Sequence, residues 1–155
     1  MSSMRRRIAT PYFIEDTKMI DSRTAPYAVL LLRLALGILF LAHAGLKLFV
    51  FTPAGTAGYF ASLGLPASLA YVTIVWEIAG ALALILGIWP RLAALAVIPV
   101  LLGSIFTVHG AAGFFFTNTG GGWEFPALWI IGLLAVALAG DGAHALRPTP
   151  FGKAR

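Results

Sequence analysis

The stretch LRLALGILFLAHAGLKLFVF, residues 32–51, decides the fold. A helix of about 20 residues rises about 30 Å, which is the thickness of the hydrocarbon core of a bilayer. The stretch is apolar at almost every position and therefore predicts a membrane-spanning helix. It also carries Arg33, His43 and Lys47, and such groups are costly against lipid. We therefore expect these three side chains to face the interior of a helical bundle or to reach the membrane surface.

The composition of the whole chain is also typical of a membrane protein. Of its 155 residues, 59% are hydrophobic and 11% are charged, and the mean hydropathy is +0.89. The net charge is +5, but the basic residues cluster outside the apolar runs, which favours membrane orientation over nucleic-acid binding. These residues are Arg5, Arg6, Arg7, Lys18 and Arg23 before the first run, and Arg147, Lys153 and Arg155 after the last. The chain has no cysteine, so it cannot by itself form a disulfide relay or a thiolate metal site.

Four apolar runs are long enough to cross a bilayer, which predicts an all-α fold, an integral membrane four-helix bundle. The runs cover residues 27–51, 68–89, 91–107 and 124–140. The predicted domains are a cytoplasmic basic tail, the four-helix membrane domain and a second cytoplasmic basic tail, at 1–26, 27–145 and 146–155. The lipid bilayer is thus the first expected partner of the chain.

The charge of the connecting loops predicts the topology of this multi-pass protein. The loops at 52–67 and 110–123 contain no lysine or arginine, whereas the short second loop carries Arg91. Because positive charge favours the cytoplasmic side, both termini should be cytoplasmic. The stretch PAGTAGYFASLG in the first outer loop has helix-compatible spacing and aromatic residues, which predicts a short interfacial helix.

The polar residues of the first run lie along one side of its helix. Arg33, Gly37 and Lys47 share that side and His43 lies at its edge. Arg33 and Lys47 lie near opposite ends of the helix, so either could also extend to the membrane surface. His43 lies deeper, where a hydrogen-bonded core residue is the alternative to a ligand-binding one. Gly37 would let a neighbouring helix approach closely.

Glu77 makes a purely structural interpretation harder. It lies well inside the second run, where its short side chain cannot reach the surface, so its carboxylate needs a partner or a proton. Its depth matches that of His43, with Lys47 about one turn above, so either residue could contact it. His109 and Glu124 reach the same outer half. We expect either a polar pocket that opens outward or a buried network that fixes the helix register.

At these residues the sequence resembles the DoxX family of small four-helix bacterial membrane proteins. The resemblance is carried by RLALGILFLAHAGLKL, GYFASLGLP, WEIAGALALILGIWPRLAAL, and HGAAGFFF followed by GGWE, over about residues 27–147. It implies a location in the bacterial inner membrane and an association with a quinone-reducing thiosulfate oxidoreductase and other membrane redox complexes. The family pattern matches Arg33, Gly37, His43, Gly45, Lys47, Glu77, Gly80, Arg91, His109 and Glu124.

The leading hypothesis is a quinone-interacting subunit of a membrane oxidoreductase complex. A quinone needs an apolar slot, a hydrogen-bond donor at each carbonyl and a group that passes protons. Glu77 and His43 are the candidate catalytic residues, with Glu77 as proton relay. The candidate ligand-binding residues are Lys47, His109, Glu124 and Arg33. The chain shows no flavin, iron–sulfur or dinucleotide motif, so we expect no covalent cofactor and no metal site, and electrons would come from a redox protein partner or a substrate.

Three other functions stay open. A non-enzymatic assembly factor, or a binder of a small apolar ligand, is favoured by the glycine-rich helix faces. A transporter needs more volume than four helices enclose, unless the chain forms a homo-oligomer. His43 and His109 would permit a haem with two imidazole ligands, although Lys47 and Glu77 beside the iron would be unusual.

Overall fold

The computed structural model describes residues 20–150, and the regular structure there is helical. The helices are α1 Ala25–Gly45, α2 Pro53–Ser62, α3 Ser68–Leu86, α4 Pro90–Ser104 and α5 Glu124–Ala139. Two π-helical turns, Leu46–Val50 and Ile105–His109, continue α1 and α4. Within residues 20–150 the only β-type pairing is an isolated bridge between Ile88 and Arg147. The predicted basic residues before position 20 and after position 150 lie outside the described residues.

Three helical segments are long and apolar enough to cross a membrane. They are Ala25–Val50, Ser68–Leu86 and Pro90–His109. The fourth, α5, has 16 residues and rises about 24 Å at about 1.5 Å per residue. The prediction of an all-α membrane bundle with a short helix in the first long loop is confirmed. The fourth membrane crossing stays a prediction, because α5 is shorter than the other three segments.

The four long helices form a ring in which each packs against two neighbours. α1 packs on α3 and α5, and α4 packs on the same two helices. Glycines allow two of these approaches. A Cβ atom at Gly37 in α1 would lie 2.7 Å from Cγ1 of Ile85 in α3, and one at Gly80 in α3 would overlap the side chain of Val97 in α4. Because glycine has no side chain, Gly37 and Gly80 allow the helices to pack this closely.

The bundle has two different ends. The hairpin end holds the turn between α3 and α4, where Gly87 and Trp89 have φ of 71° and 46° and Pro90 begins α4. The loop end holds α2 and residues 110–123. The predicted topology makes the hairpin end cytoplasmic and the loop end external.

A segment at residues 140–149 folds back over the hairpin end. The backbone N–H of Arg147 donates to the carbonyl of Gly87 at 3.0 Å, and the N–H of Trp89 donates to the carbonyl of Arg147 at 2.7 Å. The carboxylate of Asp141 accepts from the hydroxyl of Thr149 at 2.6 Å and from its backbone N–H at 3.0 Å. The segment thereby satisfies backbone groups at the ends of α3 and α4. This end of the bundle is consequently closed.

Candidate functional site

A large cavity occupies the loop-end half of the bundle. Its volume is about 1040 Å³, and it is lined by residues of α1, α3, α4, α5 and the short α2. Most of the lining is apolar, with aromatic walls that include Phe60, Phe125 and Trp129. Four of the predicted polar residues also line it, namely His43, Lys47, Glu77 and His109. An apolar cavity with a few convergent polar groups is the usual form of a small-molecule site.

Lys47 and Glu77 form an ion pair in the cavity wall. The Nζ atom of Lys47 lies 2.8 Å from Oε1 and 2.6 Å from Oε2 of Glu77. The side chain of Glu77 is 4% exposed and that of Lys47 is 19% exposed. Of the two contacts that the sequence allowed for Glu77, the structure shows the one with Lys47. The pair neutralises both charges, which is what makes their burial in a membrane bundle tolerable.

A π-helical turn positions Lys47. The turn begins at Leu46, directly after α1, and the carbonyl of Lys47 accepts from the hydroxyl of Thr56 on α2 at 3.5 Å. The single hydrogen of that hydroxyl is directed mainly at the nearer carbonyl of Thr52, 2.9 Å away, and the carbonyl of Lys47 shares it at the longer distance. π-helical turns are rare and frequently lie at functional sites. Thr56 thus ties the turn to α2, and the short helix is part of the site.

His43 hydrogen-bonds to its own helix and not to Glu77. Its Nδ1 lies 3.0 Å from the carbonyl oxygen of Leu39, and its ring packs edge-on against Trp129 with centroids 4.9 Å apart. Because a carbonyl oxygen only accepts, Nδ1 must carry the hydrogen. In the neutral ring Nε2 is then an acceptor, and it is the ring nitrogen left for a ligand.

His109 repeats this arrangement at the end of the second π-helical turn. Its Nδ1 lies 2.6 Å from the carbonyl oxygen of Gly121, in the loop before α5. The same argument places the hydrogen on Nδ1 and leaves Nε2 as an acceptor in the neutral ring. Both predicted histidines therefore present Nε2 to a ligand. Nε2 can donate to a carbonyl group of a ligand only when the imidazole carries a second hydrogen.

Glu124 lies outside the large cavity. Its Oε1 accepts from the backbone N–H of Phe116 at 2.7 Å, and it lines a smaller neighbouring cavity of about 380 Å³ together with Phe116, Phe125 and Leu128. Phe116 and Phe125 line both cavities. Glu124 thus organises the loop that borders the site.

Arg33 lies at the hairpin end, away from the other predicted site residues. Its side chain is fully buried, and its guanidinium donates to three carbonyls of the 140–149 segment. These are the carbonyls of Asp141 at 2.9 Å, Ala143 at 3.1 Å and His144 at 3.4 Å. The structure therefore gives Arg33 a contact with the chain itself and does not bring it to the cavity.

Two tryptophans of the site were not among the predicted residues. Trp129, only 5% exposed, forms part of the cavity wall beside His43. Trp76 lines the cavity from α3, and its indole N–H donates to the carbonyl of Ala96 in α4 at 2.7 Å. Tryptophan normally collects at membrane interfaces. Trp76 and Trp129 instead lie inside apolar runs, and this unusual position was the sequence signal that could have indicated a role in the site.

Among the described residues, no group of three or more histidines, cysteines, aspartates or glutamates could hold a metal ion. The ionisable side chains beside the aromatic walls are the paired Lys47 and Glu77 and the two imidazoles, and the cavity lining also includes hydroxyl groups, those of Thr56, Tyr59, Thr73, Ser104 and Thr107. These groups suit an uncharged organic ligand that exchanges hydrogen bonds. Its ring would pack against the aromatic walls.

Two comparisons with known proteins give a match to the chain. The DoxX family model matches residues 28–110. CatD of Bacillus subtilis (strain 168), whose name describes it provisionally as an oxidoreductase, is 35% identical over 122 residues, which cover 79% of this chain and 86% of CatD. No solved structure gives a significant match to the chain.

Proposed function

Since the chain belongs to the DoxX family, we propose that it binds a quinone or quinol in its loop-end cavity as a subunit linked to a membrane oxidoreductase. The observation that carries this proposal is the cavity of about 1040 Å³, whose apolar walls surround Lys47, Glu77, His43 and His109. The name of CatD supports the link to redox chemistry. The electron donor or acceptor is a partner protein or a substrate.

The hydrogen-bonding atoms offer two acceptors to the quinol form of such a ligand and one donor to its quinone form. In their neutral rings, Nε2 of His43 and Nε2 of His109 accept from the hydroxyl groups of a quinol. The ammonium of Lys47 has three hydrogens and directs bonds at both oxygens of Glu77, so its remaining hydrogen can donate to a quinone carbonyl. Glu77 is the group that passes protons when the two forms interconvert.

A binder without redox activity is the second candidate. Both oxygens of Glu77 accept from Lys47, so this part of the site is satisfied without any reaction. In that case the cavity holds a small apolar molecule, or the bundle assists assembly of another membrane protein. Reduction of a bound quinone by a co-purifying partner distinguishes the first function from the second.

The proposed location is the bacterial inner membrane, with both termini in the cytoplasm. Reporters fused after Arg155 or before Tyr27 are expected to be cytoplasmic, while tags inserted within 52–65 or 111–122 are expected to be external. Accessibility of these tags to a membrane-impermeant reagent measures the topology. An external C-terminus would mean that α5 does not cross the membrane.

Quinone binding predicts a gain in thermal stability. At a free concentration of about ten times Kd, a short-chain quinol, whose hydroxyl groups donate to Nε2 of the two histidines, should stabilise the wild type by about 1.4 kcal/mol. His43→Ala and His109→Ala should lose most of this gain and stay folded, because each removes one or two hydrogen bonds. Thermal unfolding in mild detergent, with oxidised and with reduced ligand, measures the effect.

The matched control for these variants is His144→Asn. His144 lies at the hairpin end with φ of 52°, a conformation that asparagine tolerates, and it does not line the cavity. This variant should keep the full ligand-dependent gain. A wild type that gains nothing from either redox form would refute the quinone proposal and leave the assembly function in its place.

A further inference from the structure

Two stripes of residues on α3 and α4 line the cavity from one side. They are spaced by three and four positions, so each stripe follows one face of its helix. The stripes are Leu69, Val72 and Trp76 on α3, and Val100 and Gly103 on α4 with Thr107 on the π-helical turn that continues α4. Every one of them except the half-buried Val100 is exposed at the protein surface. Residues that are both exposed and part of the cavity wall mark an opening, so one opening of the cavity lies at its side, between α3 and α4.

The opening between α3 and α4 ends at Trp76 on the side of the hairpin end. The indole N–H of Trp76 donates to the carbonyl of Ala96 at 2.7 Å and so joins the two helices. One turn further toward the hairpin end, Gly80 packs so closely against Val97 that a Cβ atom would overlap it. The helices therefore touch from Trp76 to the hairpin and separate toward the loop end.

The rim of the opening offers few unsatisfied polar groups. The hydroxyl of Thr73 donates to the carbonyl of Leu69 at 2.8 Å, and that of Thr107 donates to the carbonyl of Gly103 at 2.8 Å. Both hydroxyls are thus satisfied within their own helices. Since both helices belong to segments long and apolar enough to span a membrane, hydrocarbon is the medium that this rim suits.

We propose that the gap between α3 and α4 is a lateral entrance for a membrane-dissolved ligand with a hydrocarbon tail. The aromatic head of the ligand lies inside, beside Lys47 and Glu77, and its tail lies in the gap against Val72 and Gly103. This inference rests on the proposed function and names the class of ligand, a ring that carries an isoprenoid or alkyl chain.

The size of the cavity favours a tailed ligand over a bare ring. Sites for drug-sized molecules usually enclose about 300–1,000 Å³, and this cavity of about 1040 Å³ exceeds what a single ring fills. The unfilled part is the apolar side between the two stripes. An alkyl chain that extends from the ring toward the bilayer occupies that space without burying a polar atom.

A side chain that fills the gap tests the proposal. Gly103 and Gly58 are both exposed helical glycines with no neighbouring atom within 4 Å of a built Cβ, but only Gly103 lines the cavity. Gly103→Leu and its matched control Gly58→Leu are reconstituted in phosphatidylcholine vesicles. Binding is measured for decylubiquinone and for ubiquinone-0, which has the same ring and no tail.

Decylubiquinone should bind Gly103→Leu about tenfold more weakly than the wild type, because the leucine occupies the space of the tail. Ubiquinone-0 should bind the wild type and Gly103→Leu equally. The control Gly58→Leu should bind decylubiquinone and ubiquinone-0 as the wild type does. Equal decylubiquinone binding by Gly103→Leu and Gly58→Leu would overturn the lateral entrance while leaving the proposed function intact.

If the wild type binds neither quinone, the proposed function is wrong. A second measurement then tests the lateral entrance by itself. A fatty acid with a diazirine in its chain is photolysed in the same vesicles. Adducts on Leu101, which is buried and lines the cavity, support entry of a tail, whereas adducts confined to outward residues such as Phe106 overturn it. A disulfide-linked dimer formed through Val72→Cys, without adducts on Leu101, would also overturn it, since a second copy would then cover the gap.

Discussion

Glu77→Ala is expected to lower the free energy of unfolding by about 3 kcal/mol, because it leaves the ammonium of Lys47 without its partner in the cavity wall. Lys47 loses both of its bonds to Glu77, at 2.6 Å and 2.8 Å. With only 19% of its side chain exposed, it cannot recover full solvation where it lies. Unfolding by heat or by sodium dodecyl sulfate in mild detergent measures the loss.

Two further variants identify the cause of that loss. Glu77→Gln should be milder, since its carboxamide oxygen still accepts a hydrogen bond from Lys47. The double variant Lys47→Met with Glu77→Leu should recover most of the stability, because an apolar pair of similar size replaces a buried ion pair at little cost. Equal and negligible shifts for Glu77→Ala and Glu77→Gln would show that the pair does not stabilise the bundle.

The sequence reduced the partners of Glu77 to Lys47 or His43, because depth in a membrane can be counted along a helix. Glu77 stands well inside its apolar run, and Lys47 stands about one turn from the outer end of the first one. At about 1.5 Å per residue these positions reach similar heights when the two helices are antiparallel. The choice between Lys47 and His43 could not be made, since it depends on rotation about the helix axis, which the packing of Gly37 against α3 sets.

The hydrogen bonds of His43 and His109 could not be predicted from the sequence. Each Nδ1 donates to a backbone carbonyl, that of Leu39 for His43 and that of Gly121 for His109. The second contact requires the loop before α5 to fold back onto a π-helical turn. No periodicity or composition encodes such a turn, because it arises where a helix is pulled out of its regular hydrogen-bond register by tertiary contacts.

The position of Arg33 shows the limit of argument from helix faces. The sequence left two positions open for its side chain, facing inward or extending to the membrane surface, and its complete burial shows the first. Its partner was not predicted, because backbone carbonyls carry no sequence signal and residues 140–149 follow the last apolar run. The family pattern includes Arg33 together with the cavity residues, yet the two lie at opposite ends of the bundle. A shared pattern thus combines residues with different physical roles.

Arg33→Ala is expected to cost about 3–5 kcal/mol and to release residues 140–149 from the hairpin end. The variant leaves three part-buried carbonyls without a charged donor and creates a void where the buried guanidinium packs against Gly87. Hydrogen exchange measures the release directly. The amides of Ala143 and Arg147, which donate to the carbonyls of Pro26 and Gly87, should lose their protection.

Two controls accompany this prediction. One keeps the positive charge at position 33, and the other removes an arginine elsewhere in the chain. Arg33→Lys keeps the charge but not the planar fork that reaches several carbonyls at once, so it should lose nearly as much protection as Arg33→Ala. Arg23→Ala removes an exposed arginine that precedes α1 and should change nothing. Ligand binding in the cavity should survive Arg33→Ala wherever the bundle stays folded. If Ala143 and Arg147 stay protected in Arg33→Ala while quinone binding is lost, Arg33 would return to the ligand-binding residues, and the closed hairpin end would need another source of stability.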